Sequence, residues 1–178
     1  SADEKSIYFK ANKKHPGIYE IYKVDVNSAE ITALTDLGGM NDYSLSPDES
    51  KLLIEHSKIT MPPELYVKEL AGDVEAIRLT HTVSEEFLAM PWSAPNVVAA
   101  KNKAVMFSHG AGYLQNSHLG WSGYFREYMF HSMLVQQGYV VIDMDYRASK
   151  GYGRDWRTAI YRHMGKSEVQ DMRDGVNW

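Results

Sequence analysis

The chain has 178 residues, 44% of them hydrophobic and 24% charged, with 19 Lys plus Arg against 23 Asp plus Glu and a formal charge of -4, a composition typical of globular proteins with one domain or two small ones. No basic cluster marks a nucleic-acid surface, and the longest apolar stretches, such as Gly138 to Ile142, fall far short of the ~18 residues that cross a bilayer. With no cysteine there is no disulfide framework, thiolate nucleophile or Cys-ligated metal. No charged-then-apolar signal segment opens the sequence as read; because such a leader is removed on maturation, both a cytoplasmic and a secreted or periplasmic location fit.

The first half is β-rich. Ile7 to Phe9, Ile18 to Val26, Ile31 to Leu34, Lys51 to Glu55, Leu65 to Leu70 and Ala76 to Leu79 are short runs of β-branched and aromatic residues, separated by Pro, Gly, Asn and Asp, and they predict antiparallel strands. The runs also repeat. Asp3-Glu4-Lys5-Ser6-Ile7-Tyr8-Phe9 resembles Asp48-Glu49-Ser50-Lys51-Leu52-Leu53-Ile54 at an offset of 45, Glu20-Ile21-Tyr22-Lys23 resembles Glu64-Leu65-Tyr66-Val67 at 44, and Ala33-Leu34-Thr35 precedes Arg78-Leu79-Thr80 by 45. A period near that length with about four strands per unit is the pattern of a β-propeller blade; a β-sandwich with accidental similarity is the alternative. Ser46-Pro47-Asp48-Glu49 fits the turn before a strand in such a blade. Two blades cannot close a ring, so this half is expected to be unstable by itself.

The texture changes near Pro91 to Lys103. Ala104 to Phe107 predicts a strand that runs into the small-residue loop His109-Gly110-Ala111-Gly112. Tyr124 to Gln137 predicts a helix with Phe125, Met129, Met133 and Leu134 on one side and Gly138 as its stop. Tyr139 to Ile142 is a strand with Asp143 and Asp145 at its carboxyl end, followed by a loop holding Gly151 and Gly153. A last helix is expected from Ser167, as cap, through Val176. Strand, helix, strand, loop and helix in this order describe a parallel doubly wound sheet. The organisation expected is therefore 1–92 partial propeller, 93–103 linker and 104–178 part of an α/β domain.

The chemistry is concentrated in the loop at His109. Small residues after a strand let backbone N–H groups approach a substrate oxygen, as an oxyanion hole for acyl transfer requires; a tight turn using glycine for positive φ is the bland alternative. Ser108-His109-Gly110-Ala111-Gly112-Tyr113, Gly138-Tyr139-Val140-Val141-Ile142-Asp143-Met144-Asp145-Tyr146-Arg147 and Ser149-Lys150-Gly151-Tyr152-Gly153-Arg154-Asp155-Trp156 resemble the early catalytic domain of the prolyl oligopeptidase family, which includes dipeptidyl and acylaminoacyl peptidases. Glu168-Val169-Gln170-Asp171 and Gly175-Val176-Asn177-Trp178 resemble the helix that leads toward the family's nucleophile strand. The resemblance covers nearly the whole chain and implies a partial α/β-hydrolase doubly wound sheet preceded by about two β-propeller blades. It also implies a serine peptidase that hydrolyses oligopeptides through a Ser-His-Asp acyl-enzyme, with no cofactor and no metal. Members of the family often form homo-oligomers, for which this sequence offers no independent sign.

Departures from the family pattern limit what carries over. No G-x-S-x-G occurs in the sequence, and the family's serine, aspartate and histidine follow the last helix, so no triad residue is assigned. His109, His118, His131 and His163 all precede the expected nucleophile, and the fragment is expected to be inactive. The resemblance implies that His109, Gly110 and Ala111 line the active site, with a backbone N–H near Gly110 or Ala111 as one oxyanion donor. Where some members place a tyrosine hydroxyl, this sequence has His109, which favours backbone donors. Tyr113 is a candidate substrate-pocket wall or second donor, with packing on the neighbouring helix as the alternative. Arg147 fits a ligand-facing position or an ion pair with Asp143, Asp145 or Asp171, and the pair is preferred. Glu85-Glu86 reads as a solvated blade edge, and His118 and His131 lack metal-ligand spacing. The family's hairpin and leading strand have no room between Trp92 and Ala104, so Ala99 and Ala100 are expected not to be natural neighbours. A carboxylesterase and a non-catalytic propeller-bearing binding protein are the rival readings.

Overall fold

The computed structural model describes residues 1–95, 103–110 and 114–178. The expected break between Ala99 and Ala100 lies outside them. The chain divides into two compact units, one of Ser1–Met90 with Leu119–Trp121 and one of Pro91–His118 with Ser122–Trp178.

In the first unit, β1 (Ser6–His15), β2 (Ile18–Asp25) and β3 (Ile31–Ala33) form one antiparallel meander. A second meander comprises β4 (Met40–Leu45), β5 (Lys51–Lys58), β6 (Met61–Glu69) and β7 (Ile77–Arg78). A single parallel bridge, Tyr19 to Met40, joins the two. Alternation along β5 buries Leu52, Ile54 and His56 while Leu53 and Glu55 face out, as a two-residue period demands of a sheet with one face packed. Ile21, Leu52 and Ile54 form the core, flanked by Leu34, Leu37, Tyr43, Leu45, Tyr66 and Leu70.

The sequence repeat reappears as repeated chemistry. Glu20 in β2 is buried and accepts from the Thr35 hydroxyl and the Gly38 N–H, while the Ile21 N–H donates to Thr35 Oγ1. Glu64 in β6 is buried and accepts from the Thr80 hydroxyl and the Thr82 N–H, while the Leu65 N–H donates to Thr80 Oγ1. Each carboxylate thus satisfies backbone donors that leave the strand ladder, which burial otherwise makes costly. Ser46 to Ser50 makes the turn expected between strands, with Asp48 accepting from the Ser46 hydroxyl and from the Ser50 N–H and hydroxyl. These bonds hold the Asp48 carboxyl at about 2.

Three elements of this unit depart from the sequence reading. β4 was not expected, since Asn41, Asp42 and Ser44 give it no apolar run; its ladder to β5 and the buried Asn41 form it. β1 runs past Phe9 through polar Asn12 and Lys13 because the hairpin with β2 supplies its partners. Glu85-Glu86 is exposed as expected, but as the first turn of a short helix, α1 (Glu85–Ala89), whose Ser84 cap accepts from the Phe87 N–H, with acidic residues where the helix dipole favours them.

In the second unit, β8 (Ala104–Phe107) and β9 (Val140–Asp143) pair in parallel, Ala104 with Val140 through Phe107 with Asp143. α2 (Phe125–Gln136) connects them. It ends as expected at Gly138, where φ is +82° and the Gly138 and Tyr139 N–H groups return to Val135 and Leu134, a glycine-dependent C-terminal motif. Its packed side matches the expected one in part: Met129 and Leu134 are half-buried, as are Tyr124 and His131, which meet Phe107 at ring-centroid distances of 5.3 and 5.0 Å, and Tyr128, which meets Trp92, whereas Phe125 and Met133 are exposed. The aromatic set 124, 128 and 131 has the same helical spacing as the apolar one and the larger rings take the inner face. α3 (Arg154–Thr158) follows the Gly153 turn and was not expected. α4 (Ser167–Asn177) begins with Ser167 inside the helix rather than as its cap; the buried Glu168 carboxylate accepts from the Gly165 N–H instead. Among the described residues no helix is long and apolar enough to cross a membrane.

Candidate active site

The parallel register of β8 and β9 delivers Ser108 and His109 from one strand, and Met144 and Asp145 from the other, to the same carboxyl edge. His109 is buried and its ring stacks on Tyr146 at 4.7 Å. Nε2 lies 3.0 Å from Asp145 Oδ1 and Nδ1 lies 2.9 Å from the Gly110 carbonyl. The Tyr146 hydroxyl donates to the His109 carbonyl at 2.6 Å. Burial of the imidazole opposes its charge, but the Asp145 carboxylate and the Gly110 carbonyl outweigh it and raise the His109 pKa. For Asp145, burial is outweighed by donation from His109, the Asn116 and Ser117 N–H groups and the Tyr152 hydroxyl, which lower its pKa.

Asp143 behaves differently two residues earlier. Burial lifts its carboxyl to about 6 despite donation from Asn116 Nδ2, and its Oδ1 has no hydrogen-bond partner among the described residues. Two carboxylates on one strand end are thus driven apart, one by desolvation and the other by donors.

Gly110 owes its identity to close approach, not to positive φ. A Cβ there would lie 3.2 Å from Leu114 Cδ1 and 3.3 Å from Tyr124 Oη. Its N–H donates to Tyr124 Oη at 3.0 Å. Of the sequence-predicted site residues, His109 and Gly110 are adjacent and joined by the ring–carbonyl bond, whereas Ala111 and Tyr113 lie outside the described residues. Arg147 is a support: its backbone N–H and its Nε and Nη2 groups all hold Asp171, at 2.6, 2.8 and 2.7 Å. Asp145, which the sequence offered as a partner for Arg147, belongs to His109. His131 packs on Phe107, and no His/Asp/Glu group suited to a metal occurs among the described residues. A depression of about 350 Å³ in the first unit is lined by Tyr8, Lys23, Asp25, Glu30 and Thr32 among others.

Residues 125–178 match the prolyl oligopeptidase family, and residues 1–63 match the dipeptidyl peptidase IV N-terminal region. The matches span about two thirds of the chain and fall in the order that joins a propeller to a hydrolase. The chain is similar to the prolyl oligopeptidase family in both regions. Similar proteins include the uncharacterized peptidase YuxL of Bacillus subtilis, 24% identical over 177 residues, which takes in 88% of this chain and 26% of YuxL. The acylamino-acid-releasing enzymes of rat and pig are 21% and 23% identical, each match covering 99% of this chain and 27% of the relative. The crystal structure of Porphyromonas gingivalis dipeptidyl peptidase 4 superposes with a TM-score of 0.80 at 18% identity, over 94% of this chain and 26% of that one. The chain therefore spans about a quarter of the length of the proteins it matches. Its first unit is part of a propeller and its second part of an α/β-hydrolase sheet.

Proposed function

We propose that the protein is a serine peptidase of the prolyl oligopeptidase type, and that the loop at His109 forms half of its oxyanion hole. The observation that carries this reading is the loop itself: a glycine packed against Leu114 and Tyr124, at the carboxyl end of a parallel strand, in a chain whose relatives are peptidases. Because the Gly110 N–H is engaged by Tyr124, the donor is the backbone N–H of Ala111, with the residue after the nucleophile supplying the second. Serine, histidine and aspartate of the triad belong to the rest of a longer polypeptide. Serine attacks the peptide carbonyl, histidine takes its proton and returns it to the leaving amine, aspartate orients the histidine, and the two N–H groups stabilise the tetrahedral oxyanion. Small peptides are the substrates, admitted past the propeller, and the 178-residue piece is inactive alone. We assign 1–92 to the propeller, 93–103 to the join and 104–178 to the hydrolase. The alignments with the acylamino-acid-releasing enzymes run to 210 and 208 residues, more than this chain has, which supports residues missing within it.

The test uses the full-length protein with dipeptidyl and N-acyl-aminoacyl amide substrates, alongside labelling by a fluorophosphonate and mapping of the labelled serine. Amide hydrolysis with labelling of a serine downstream of α4 is expected. Hydrolysis of simple esters without amides would instead make it an esterase, and absence of both turnover and label would make it a binding protein.

A further inference from the structure

The chain enters the first unit a second time. Leu119–Trp121 belongs to that unit, while Pro91–His118 before it and Ser122–Trp178 after it belong to the second. The insertion is fitted to its place. The Leu119 N–H donates to the Gly17 carbonyl at 2.8 Å and the Trp121 N–H to Ser57 Oγ at 3.2 Å, and the Trp121 ring meets Phe87 edge to face at 5.7 Å. Gly120 is buried against the start of β4: a Cβ there would lie 2.0 Å from Met40 Cγ and 2.5 Å from Met40 Cβ. Its φ is not positive, so glycine is required by close approach and not by backbone conformation. Gly39 meets the same segment, since a Cβ on it would lie 3.3 Å from the Leu119 carbonyl oxygen.

Both ends of the insertion are anchored in the second unit. Before it, the Asn116 and Ser117 N–H groups donate to Asp145 Oδ1 at 2.8 and 3.2 Å, and Asn116 Nδ2 donates to Asp143 Oδ2 at 2.6 Å. After it, Ser122 Oγ donates to Asn116 Oδ1 at 2.6 Å and accepts from the Tyr124 N–H, where α2 begins. Asn116 thus spends its backbone N–H and both ends of its amide on two carboxylates and the returning chain. There is little slack between the anchors. Only His118 separates Ser117 from Leu119, and Trp121 and Ser122 are neighbours; two residues of extended chain reach about 7 Å at most. Movement of one unit away from the other at this crossing therefore breaks one set of bonds.

We propose that Leu119–Trp121 is a strap: a segment supplied by the α/β half of the chain, latched into the β-rich half, whose release sets how far the two open to admit a peptide. The set of bonds that yields is the one in the first unit, because its members are two backbone N–H groups on neutral acceptors, whereas the bonds at the base go to carboxylates and are the stronger kind. The proposal rests on the peptidase reading above, in which substrates pass the propeller, and it assigns control of that step to Gly120 and its socket of Gly17, Gly39, Met40 and Ser57.

The full-length protein tests it by two independent readouts. Amide hydrogen exchange should show Leu119 and Trp121 protected, and Gly120→Ala, whose methyl collides with Met40, should speed exchange at both about ten- to hundredfold while amides in the middle of β5 stay within about threefold. In a Met40→Gly background the same substitution should change exchange less than about threefold, since the obstacle is gone. Ser57→Ala, which removes only the acceptor of the Trp121 N–H, should speed exchange at Trp121 about fivefold and carries the test if Gly120→Ala does not fold. In the second readout, kcat/KM for a long oligopeptide relative to a dipeptidyl amide should rise about tenfold in Gly120→Ala, and not between Met40→Gly and the double variant. Unprotected Leu119 and Trp121 amides in the wild-type protein, or a Gly120→Ala effect undiminished without the Met40 side chain, overturn the strap even in an active peptidase. Faster exchange with an unchanged length preference overturns its control of opening. Wild-type protein without peptidase activity overturns the functional reading and the control of entry with it, while the exchange experiment still decides whether the strap is latched.

Discussion

Replacement of Glu64 by glutamine probes the repeated carboxylate that ties each blade together. The Glu64 side chain has no solvent exposure and accepts from Arg78 Nη2 at 2.9 Å, the Thr82 N–H at 2.7 Å, the Thr82 hydroxyl and the Thr80 hydroxyl. Glutamine keeps the shape but removes the charge and turns one acceptor into a donor. Converting charge-assisted bonds to neutral ones costs about 1 kcal/mol each, and breaking a buried pair costs about 3–5 kcal/mol. Arg78 is 31% exposed and recovers part of its hydration, so about 3 kcal/mol is expected. That corresponds to a roughly hundredfold rise in the local opening constant, read as faster hydrogen exchange at Leu65 and Thr82 in the full-length protein at neutral pH. Glu20→Gln is the internal control: Glu20 has Thr35, Gly38 and Asn41 as donors and no direct ion pair among the described residues, so about 2 kcal/mol is expected there. Burial raises the Glu64 pKa, but Thr80, Thr82 and Arg78 outweigh it and depress it to about 2. Its contribution is therefore full above the unfolded value of 4.5 and lost as pH falls toward about 2, and Glu64→Gln should abolish that part of the acid sensitivity. Protection at Leu65 and Thr82 within about threefold of wild type would refute the reasoning.

Asp143→Asn tests the desolvated carboxyl. Its folded pKa of about 6 lies above the unfolded 3.8, so its contribution to stability is full below 3.8 and lost as pH rises through about 6; the variant should match wild type at pH 4 and exceed it by about 1–2 kcal/mol at pH 8, after allowance for partial exposure, measured by thermal unfolding at the two pH values. Gly39→Ala tests a backbone contact: φ is +65° and a Cβ would lie 2.1 Å from the Ser57 carbonyl oxygen, so a loss of about 3 kcal/mol or more is expected in denaturant titration, and a variant as stable as wild type would show that the Gly38-Gly39 turn is free to move.

Much of the fold was legible because its signals are local. The 45-residue period brought out blade-like units, and Gly138 marked the end of α2 through a conformation that glycine adopts at low cost. β4 was not legible, since a strand whose outward residues are Asp42 and Ser44 and whose buried residue is Asn41 owes its existence to the partner strand. The inner face of α2 was legible in part: Met129 and Leu134 are half-buried, but Phe107 on β8 draws in Tyr124 and His131 while Phe125 and Met133 stay exposed. Of the candidate site, the His109-Gly110 loop could be singled out from its small residues and Asp171 stood among three possible partners of Arg147, but the choice among the three, and the pairing of Asp145 with His109, depend on contacts distant in the chain.

By itself the sequence determined which residues form strands, where the chain turns, the repeat of Glu20 and Thr35 in Glu64 and Thr80, and the family to which the motifs point. Only the tertiary structure decided that His109 meets Asp145, 36 residues away, and that Tyr124 takes the Gly110 N–H. Local propensities act over a few residues and are written in the order of the chain. The contacts that orient a loop depend on the register in which β8 meets β9, and a shift of one residue there would turn Asp145 to the opposite side of the sheet.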